Sequence, residues 1–181
     1  KYFRMTETKL LKLSSNENCY GCSPLALDAI LNKYKEVPFY PLANPVALKE
    51  KLAEKFGVTS KNIIVGAGSV RIIDGLIQTL VGTDEEVLTF ENSFIAYGLF
   101  SGFHHRLCQF APLTDYRCVP DNLLPYITDK TRLIFIANPN NPTGTIISHA
   151  ELESFLSKVS QKIVVAVDEA YAEYVTDLSF P

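Results

Sequence analysis

The chain has 181 residues, 47% apolar and 20% charged, with nine glycines, ten prolines and a formal net charge of −3. That balance excludes a collagen repeat, low-complexity disorder and a disulfide miniprotein, and a chain of this length buries a core without covalent staples. The mild acidity and the lack of a basic block argue against nucleic acid or an anionic membrane as partner, no apolar run reaches the roughly 18 residues of a membrane span, and residues 1–12 carry no signal-peptide core, so the sequence reads as soluble and cytoplasmic.

The first 40 residues read as irregular around polar Ser14–Asn18, apart from a helix over Leu25–Lys35. Its Leu27, Ile30, Leu31 and Tyr34 share one face after a Ser-Pro start. Asn44-Pro45 predicts an N-cap and first helical position. Leu48, Leu52 and Phe56 then recur at i, i+4, i+8, and Gly57 closes the helix.

From residue 62 onward, apolar runs alternate with helical stretches. Ile63–Val65 predicts a strand, and Ser69–Val81 a helix with Ile72, Ile73, Leu76, Ile77 and Leu80 on one face, stopped by Gly82. Val87–Phe90 and Leu107–Phe110 predict strands on either side of a helix or loop over Phe94–Phe103. Asn122–Ile127 reads as a short helix and His149–Val159 as another. The runs Arg132–Ala137 and Ile163–Val167 do not alternate clearly, as expected of strands buried on both faces. Five strands separated by helices predict an open, mostly parallel α/β sheet with flanking helices.

Such sheets bind ligands at the carboxyl ends of their strands, so the residues just past each run carry the functional expectation. Gly66-Ala67-Gly68-Ser69 opens a helix, which suits either an anion on free N–H groups or a tight turn with Ser69 as N-cap. It is neither a dinucleotide fingerprint, since Arg71 stands where the third glycine belongs, nor a P-loop. Asn138-Pro139-Asn140-Asn141-Pro142-Thr143-Gly144 is a rigid polar loop able to present the amides of Asn140 and Asn141 to a cleft. Asp168 ends an apolar strand, where a carboxylate calls for a cationic partner, and Tyr171 follows three residues on. A metal site at Asp168-Glu169 is the rival, with no histidine near in sequence. One ligand would satisfy every end together: a phosphate at Ser69, an aromatic cover from Phe94, Asn141 and Tyr171 for a phenolic oxygen, and Asp168 for a cationic ring nitrogen. That ligand is pyridoxal phosphate.

Four cysteines are present. Cys19 and Cys22 form a C-x-x-C, while Cys108 and Cys118 stand apart, and with His104-His105 they match no standard zinc spacing. The expectation is four reduced thiols.

The motifs also carry a resemblance. Asn16-Glu17-Asn18-Cys19-Tyr20-Gly21-Cys22-Ser23-Pro24 resembles an N-E-N-P-x-G-P-S-P segment with cysteines at both prolines, and Tyr40-Pro41 with Leu48–Ala53 resembles a Y-P-D…L-R-x-x-L-A block. With N-P-N-N-P-T-G and V-D-E-A-Y at matching spacing, the chain resembles the N-terminal half of the fold-type I pyridoxal-phosphate aminotransferases, and most closely the histidinol-phosphate aminotransferases. The resemblance implies an arm and the start of a small domain over 1–39, and a cofactor-binding large domain, incomplete here, over 40–181. It implies that Asp168 pairs with the pyridine nitrogen, that Asn141 and Tyr171 bond the 3′-oxygen, and that Phe94 stacks on the ring. Gly68, Ser69 and Val70 would hold the phosphate. Tyr40 would reach the cofactor phosphate of a neighbouring subunit in a homodimer, and Tyr20 would lie on the substrate side. The reaction implied is transamination of histidinol phosphate with 2-oxoglutarate. Relatives acting on aromatic amino acids, or decarboxylating phosphothreonine, share much of the pattern.

Two departures accompany it. Val70-Arg71 replaces the family's acidic pair. The Schiff-base lysine of the pattern falls after D-E-A-Y in a segment beyond Pro181, and Lys158 reads as a solvated surface lysine, so no catalytic residue is assigned within the 181 residues. The second functional expectation is therefore a non-catalytic fragment with an open sheet edge, inactive by itself.

Overall fold

A computed structural model describes residues 12, 14–42 and 44–181. Contacts divide the chain into two units, one ending at Val46 and the other spanning Ala47–Pro181. In the first, Asn18 builds a turn: its carbonyl accepts from the Gly21 N–H at 3.2 Å, and its Oδ1 accepts from the Tyr20 N–H at 3.0 Å. Helix α1 (Pro24–Lys33) follows, with Pro24 in the first turn, where a missing N–H breaks no helical bond. Its apolar stripe forms as expected, yet Leu27, Ile30 and Leu31 are exposed and no residue of α1 is buried.

Helix α2 (Val46–Phe56) starts one residue later than the Asn-Pro signal predicts, and Gly57 ends it in the left-handed region at φ +64°. Helix α3 (Ser69–Leu80) lays Ile73 and Ile77 against the sheet. Then come β1 (Glu86–Phe90), α4 (Ala96–Phe103) and β2 (Leu107–Ala111). A 3-10 segment spans Pro120–Tyr126, before β3 (Thr131–Ala137), α5 (His149–Leu156) and β4 (Val164–Asp168). The strands pair in the order β2-β1-β3-β4, all parallel. Among the described residues no helix is long and apolar enough to cross a membrane.

Strand side chains alternate between faces, so the two central strands feed two cores. Leu88, Phe90, Ile134 and Ile136 pack with Leu123, Ile147 and Phe155 on one side. Val87, Leu133 and Phe135 pack with Ile73, Ile77 and Tyr97 on the other. Double-sided burial is why Leu133–Ala137 of β3 reads as an unbroken apolar run, whereas β4, expected to be buried on both faces, lies at the edge of the four-stranded sheet with Val164 exposed and its other residues half-buried.

One expected strand does not form. Ile63 has extended dihedrals (φ −114°, ψ 128°), but residues 63–65 pair with no strand among the described residues, and Ile64 is 78% exposed. Among the described residues four strands form where five are expected, because a strand exists only beside a partner that satisfies its N–H and C=O groups.

Helix α5 shows how sequence signals set a boundary on the far face. Ser148 is the N-cap, its hydroxyl accepting from the Glu151 N–H, while Glu151 Oε2 accepts from the Ser148 N–H at 2.9 Å. The Arg117 guanidinium, 2.7 Å from both carboxylate oxygens, and the Ser148 contacts hold the Glu151 carboxyl down to about 2. A depressed carboxyl stabilises the fold above its ordinary value of 4.5 and loses that contribution as pH falls toward about 2. Both side chains of the ion pair are more than a third exposed, so solvent screening limits the effect of Glu151→Gln to about 0.2–1 kcal/mol. Urea midpoints of the full-length protein should differ between wild type and this variant at neutral pH. The two should converge in acid, and a difference that grows in acid would contradict the assignment.

Candidate functional site

Because the sheet is parallel, β1, β3 and β4 end on the same edge, and the N-terminus of α3 opens beside them. The β3–β4 register carries through Ala137↔Asp168, and the Asn138 N–H continues it to the Asp168 carbonyl at 2.9 Å. Past that point the chains separate into a cleft of about 320 Å³ of empty space, part of it open to solvent. Ser69, Phe94, Asn141, Asp168 and Tyr171 line it, with Ala137, Pro139 and Ala170 between them. These five came from four separate segments of the sequence.

Asp168 is the half-buried acid of the cleft. Its Oδ2 accepts from the Tyr97 hydroxyl at 2.9 Å, and its Oδ1 from the Ala170 N–H at 3.2 Å. Tyr97 is fully buried on α4, its ring stacked on Phe135 at 4.6 Å and met edge-on by Phe94 at 5.7 Å. Burial, and then the neighbouring Asp168 charge, push the Tyr97 phenol far above its usual range, so it stays protonated and donates. No sequence expectation included Tyr97. Its signal was available: a tyrosine three residues after Phe94, on an otherwise apolar helix face, needs a buried partner for its hydroxyl.

At the start of α3 the N-cap is Gly68, at φ +79°, and not Ser69. A side chain at that φ is strained, so glycine takes the position and Ser69 becomes the first helical residue. The N–H groups of Ser69 and Val70 then have no intrahelical acceptor, which is the geometry that receives an anion. Gly68 and Val70 flank this point, and Ser69 alone of the three lines the cleft. Arg71 turns away to Asp74, whose other oxygen lies 2.6 Å from His104 Nε2. Asp74 is buried, while Arg71 keeps 69% of its side chain exposed.

The loop after β3 divides its adjacent asparagines, Asn140 and Asn141. Asn141 lines the cleft, but Asn140 is 2% exposed and turned into the protein, correcting the expectation that both amides face a ligand. The peptide bonds before Pro139 and Pro142 are cis. Tyr20 and Tyr40 belong to the first unit, where both are exposed. Lys158 pairs with Asp121 at 2.6 Å and is not a cleft residue. Among the described residues no three His, Cys, Asp or Glu side chains gather as a metal site requires.

Residues 8–180 match the family described as aminotransferase class I and II. The chain belongs to that family. This aminotransferase-family chain is 39% identical over 167 residues to histidinol-phosphate aminotransferase 2 of Carboxydothermus hydrogenoformans, covering 92% of itself and 46% of that protein. It is 42% identical over 165 residues to an aromatic amino acid aminotransferase of Rhodococcus opacus, covering 91% of itself and 46% of that protein. In fold it is similar to the histidinol-phosphate aminotransferase of Sinorhizobium meliloti, solved in complex with pyridoxal-5′-phosphate, with a TM-score of 0.87 at 24% identity over 92% of this chain and 46% of that one. The chain thus spans just under half the length of these relatives.

The cysteines of this aminotransferase-family chain differ sharply in access. Cys19 and Cys22 are exposed, Cys108 half-buried and Cys118 buried, all unpaired. Burial pushes the Cys108 thiol up to about 11 and the Cys118 thiol up to about 12. Iodoacetamide at about pH 8 should therefore alkylate Cys19 and Cys22 of the native full-length protein first, and reach Cys118 only on unfolding. Peptide mapping over time reads this directly, and early label on Cys118 would contradict the packing described.

Proposed function

We propose that the full-length protein is a pyridoxal-phosphate-dependent aminotransferase that moves the amino group of histidinol phosphate to 2-oxoglutarate in histidine biosynthesis. The observation that carries this reading is the gathering of Ser69, Phe94, Asn141, Asp168 and Tyr171 around one cleft at the carboxyl edge of a parallel sheet. Family membership and the names of the similar proteins support the same choice.

The donor set fits the cofactor. A carboxylate fixed by a buried phenol suits a ring N–H, a helix start with two uncommitted N–H groups suits a phosphate, and an aromatic beside an amide and a phenol suits a flat hydroxylated ring. Pyridoxal phosphate, when bound, supplies a cationic pyridine ring that draws electrons from the substrate's α-carbon. In this reading Asp168 holds the proton on the ring nitrogen, and Tyr97 holds Asp168. Gly68, Ser69 and Val70 bind the phosphate, Asn141 and Tyr171 donate to the 3′-oxygen, and Phe94 covers one face of the ring. Residues 169–181 contain no lysine, so the Schiff-base lysine is assigned to a segment beyond them.

The reading extends to a homodimer in which Tyr40 reaches the neighbouring cofactor phosphate and Tyr20 faces substrate. The exposure of both tyrosines and the uncovered apolar stripe of α1 support it. Residues 1–39 are then the arm and the start of the small domain, and 40–181 belong to the large domain, in a cytoplasmic enzyme. A second reading, with an aromatic amino acid as donor, is favoured by the Rhodococcus relative.

Adding pyridoxal phosphate to the full-length protein should give a visible absorbance band that borohydride converts to a covalent adduct; no adduct would remove the enzyme reading. Histidinol phosphate should be turned over in preference to phenylalanine and phosphothreonine. Use of phenylalanine alone would select the second reading. Asp168→Asn should lower kcat by about 10²–10³-fold, as for loss of one preorganised electrostatic contact. Tyr97→Phe should weaken cofactor binding by about 3–10-fold, as for one hydrogen bond, and unchanged binding would remove its role behind Asp168.

A further inference from the structure

Asn140 lies in the most heavily committed polar position beside the cleft. Its Nδ2 donates to the Asn92 carbonyl at 3.2 Å and to Thr143 Oγ1 at 2.8 Å, and its Oδ1 accepts from Ser93 Oγ at 2.8 Å. Its backbone N–H donates to the Thr145 carbonyl at 2.9 Å, and its carbonyl accepts from the Gly144 N–H at 2.7 Å. One buried residue thus joins the loop after β1 to the loop after β3, across 47 positions of sequence.

The join falls where the backbone no longer makes it. The β1–β3 register pairs as far as Leu88↔Ile134. Beyond it, Thr89 Oγ1 donates to the Phe135 carbonyl at 3.0 Å, and then Asn140 meets Asn92 and Ser93. Asn92 is itself in the left-handed region at φ +49°, a conformation that its carbonyl's bond to Asn140 helps to hold. Ser93 immediately precedes Phe94, and Asn140 immediately precedes Asn141. The two cleft residues therefore hang from opposite ends of a single side-chain hydrogen bond.

We propose that Asn140 is a positioning residue that, through Ser93, fixes Phe94 and Asn141 relative to each other, and so sets how a flat ring is seated between its covered face and its hydroxyl edge. The inference rests on the cofactor reading of the cleft. Asparagine is needed because the position must donate on one side and accept on the other. Aspartate has the same shape and still accepts from Ser93, but it turns a carboxylate oxygen toward the Asn92 carbonyl. The ring would then lose its alignment while every group that touches it remained present, and a misplacement of about 1 Å costs about 10²-fold in rate.

The test uses the full-length enzyme with bound pyridoxal phosphate and reads visible circular dichroism, which reports the seating of the ring, alongside kcat and KM for the amino donor. Asn140→Asp should reduce the dichroic band and lower kcat by about 10²-fold, with little change in KM. Ser93→Ala should lower kcat by about 3–10-fold, and Ser93→Thr, which keeps the hydroxyl, should restore it. Asn140→Ala with Ser93→Ala should cost no more than Asn140→Ala alone, because both remove the same bond. An unchanged band and kcat in Ser93→Ala and Asn140→Asp, with only a lower Tm, would overturn the positioning role. So would additive losses in the double variant. If Asn140→Asp does not fold, the Ser93 pair decides the matter. A wild-type enzyme with no bound cofactor band would overturn the cofactor reading and this inference with it, whereas a normal wild-type band left unmoved in the variants would overturn the inference alone.

Discussion

The burial of β3 on both faces is the constraint on which the rest of this chain depends. Leu133, Ile134, Phe135 and Ile136 are each shut from solvent, so the strand needs backbone partners on both edges, and here both, β1 and β4, are parallel. Parallel pairing sends the ends of all three strands to one side, and the helices that return the chain cover the two faces. The cleft is what remains where paired backbone gives way to loops. Its residues come from distant parts of the sequence because a parallel sheet permits nothing else.

Within that frame the site is built in two tiers. Asp168, Asn141, Phe94 and Ser69 face the cleft, while Tyr97 and Asn140 stand behind them with every polar group committed. Tyr97 also links the tiers through apolar contact, since its ring lies flat on Phe135 of the central strand and against the edge of Phe94. The carboxyl group at the end of β4 is thereby held by a hydroxyl rooted in the core.

Much of this was legible in the residues. The four paired strands coincide with the apolar runs, since pairing and burial of at least the central strands leave a compositional mark, and the cleft residues follow from asking what stands just past each run. Ile63–Val65 carries the same mark without pairing, because composition records a strand's preference and not the presence of its neighbour. Asn140 and Asn141 are the same residue type side by side, so only the backbone path after β3 decides which amide lines the cleft and which is buried. The helix starts at Ser69 as its sequence predicts, but the positive φ of Gly68 gives the N-cap to that glycine and makes Ser69 the first helical residue. The partner of Tyr97 lies 71 residues away, a distance over which periodicity says nothing.

The pairing of Arg71 with Asp74, closed on the other side by His104, bears on how an anion would reach the start of α3. An arginine at this point adds a cation beside the expected phosphate seat, yet its guanidinium is already neutralised by a carboxylate of its own helix. The attraction left is that of aligned peptide dipoles, which fades within a turn of the helix, whereas a bare cation acts across about 10 Å at moderate ionic strength. A phosphate at this helix start would be held by those dipoles once it had arrived, and the paired Arg71 would lend its approach little of the pull of an unpaired cation.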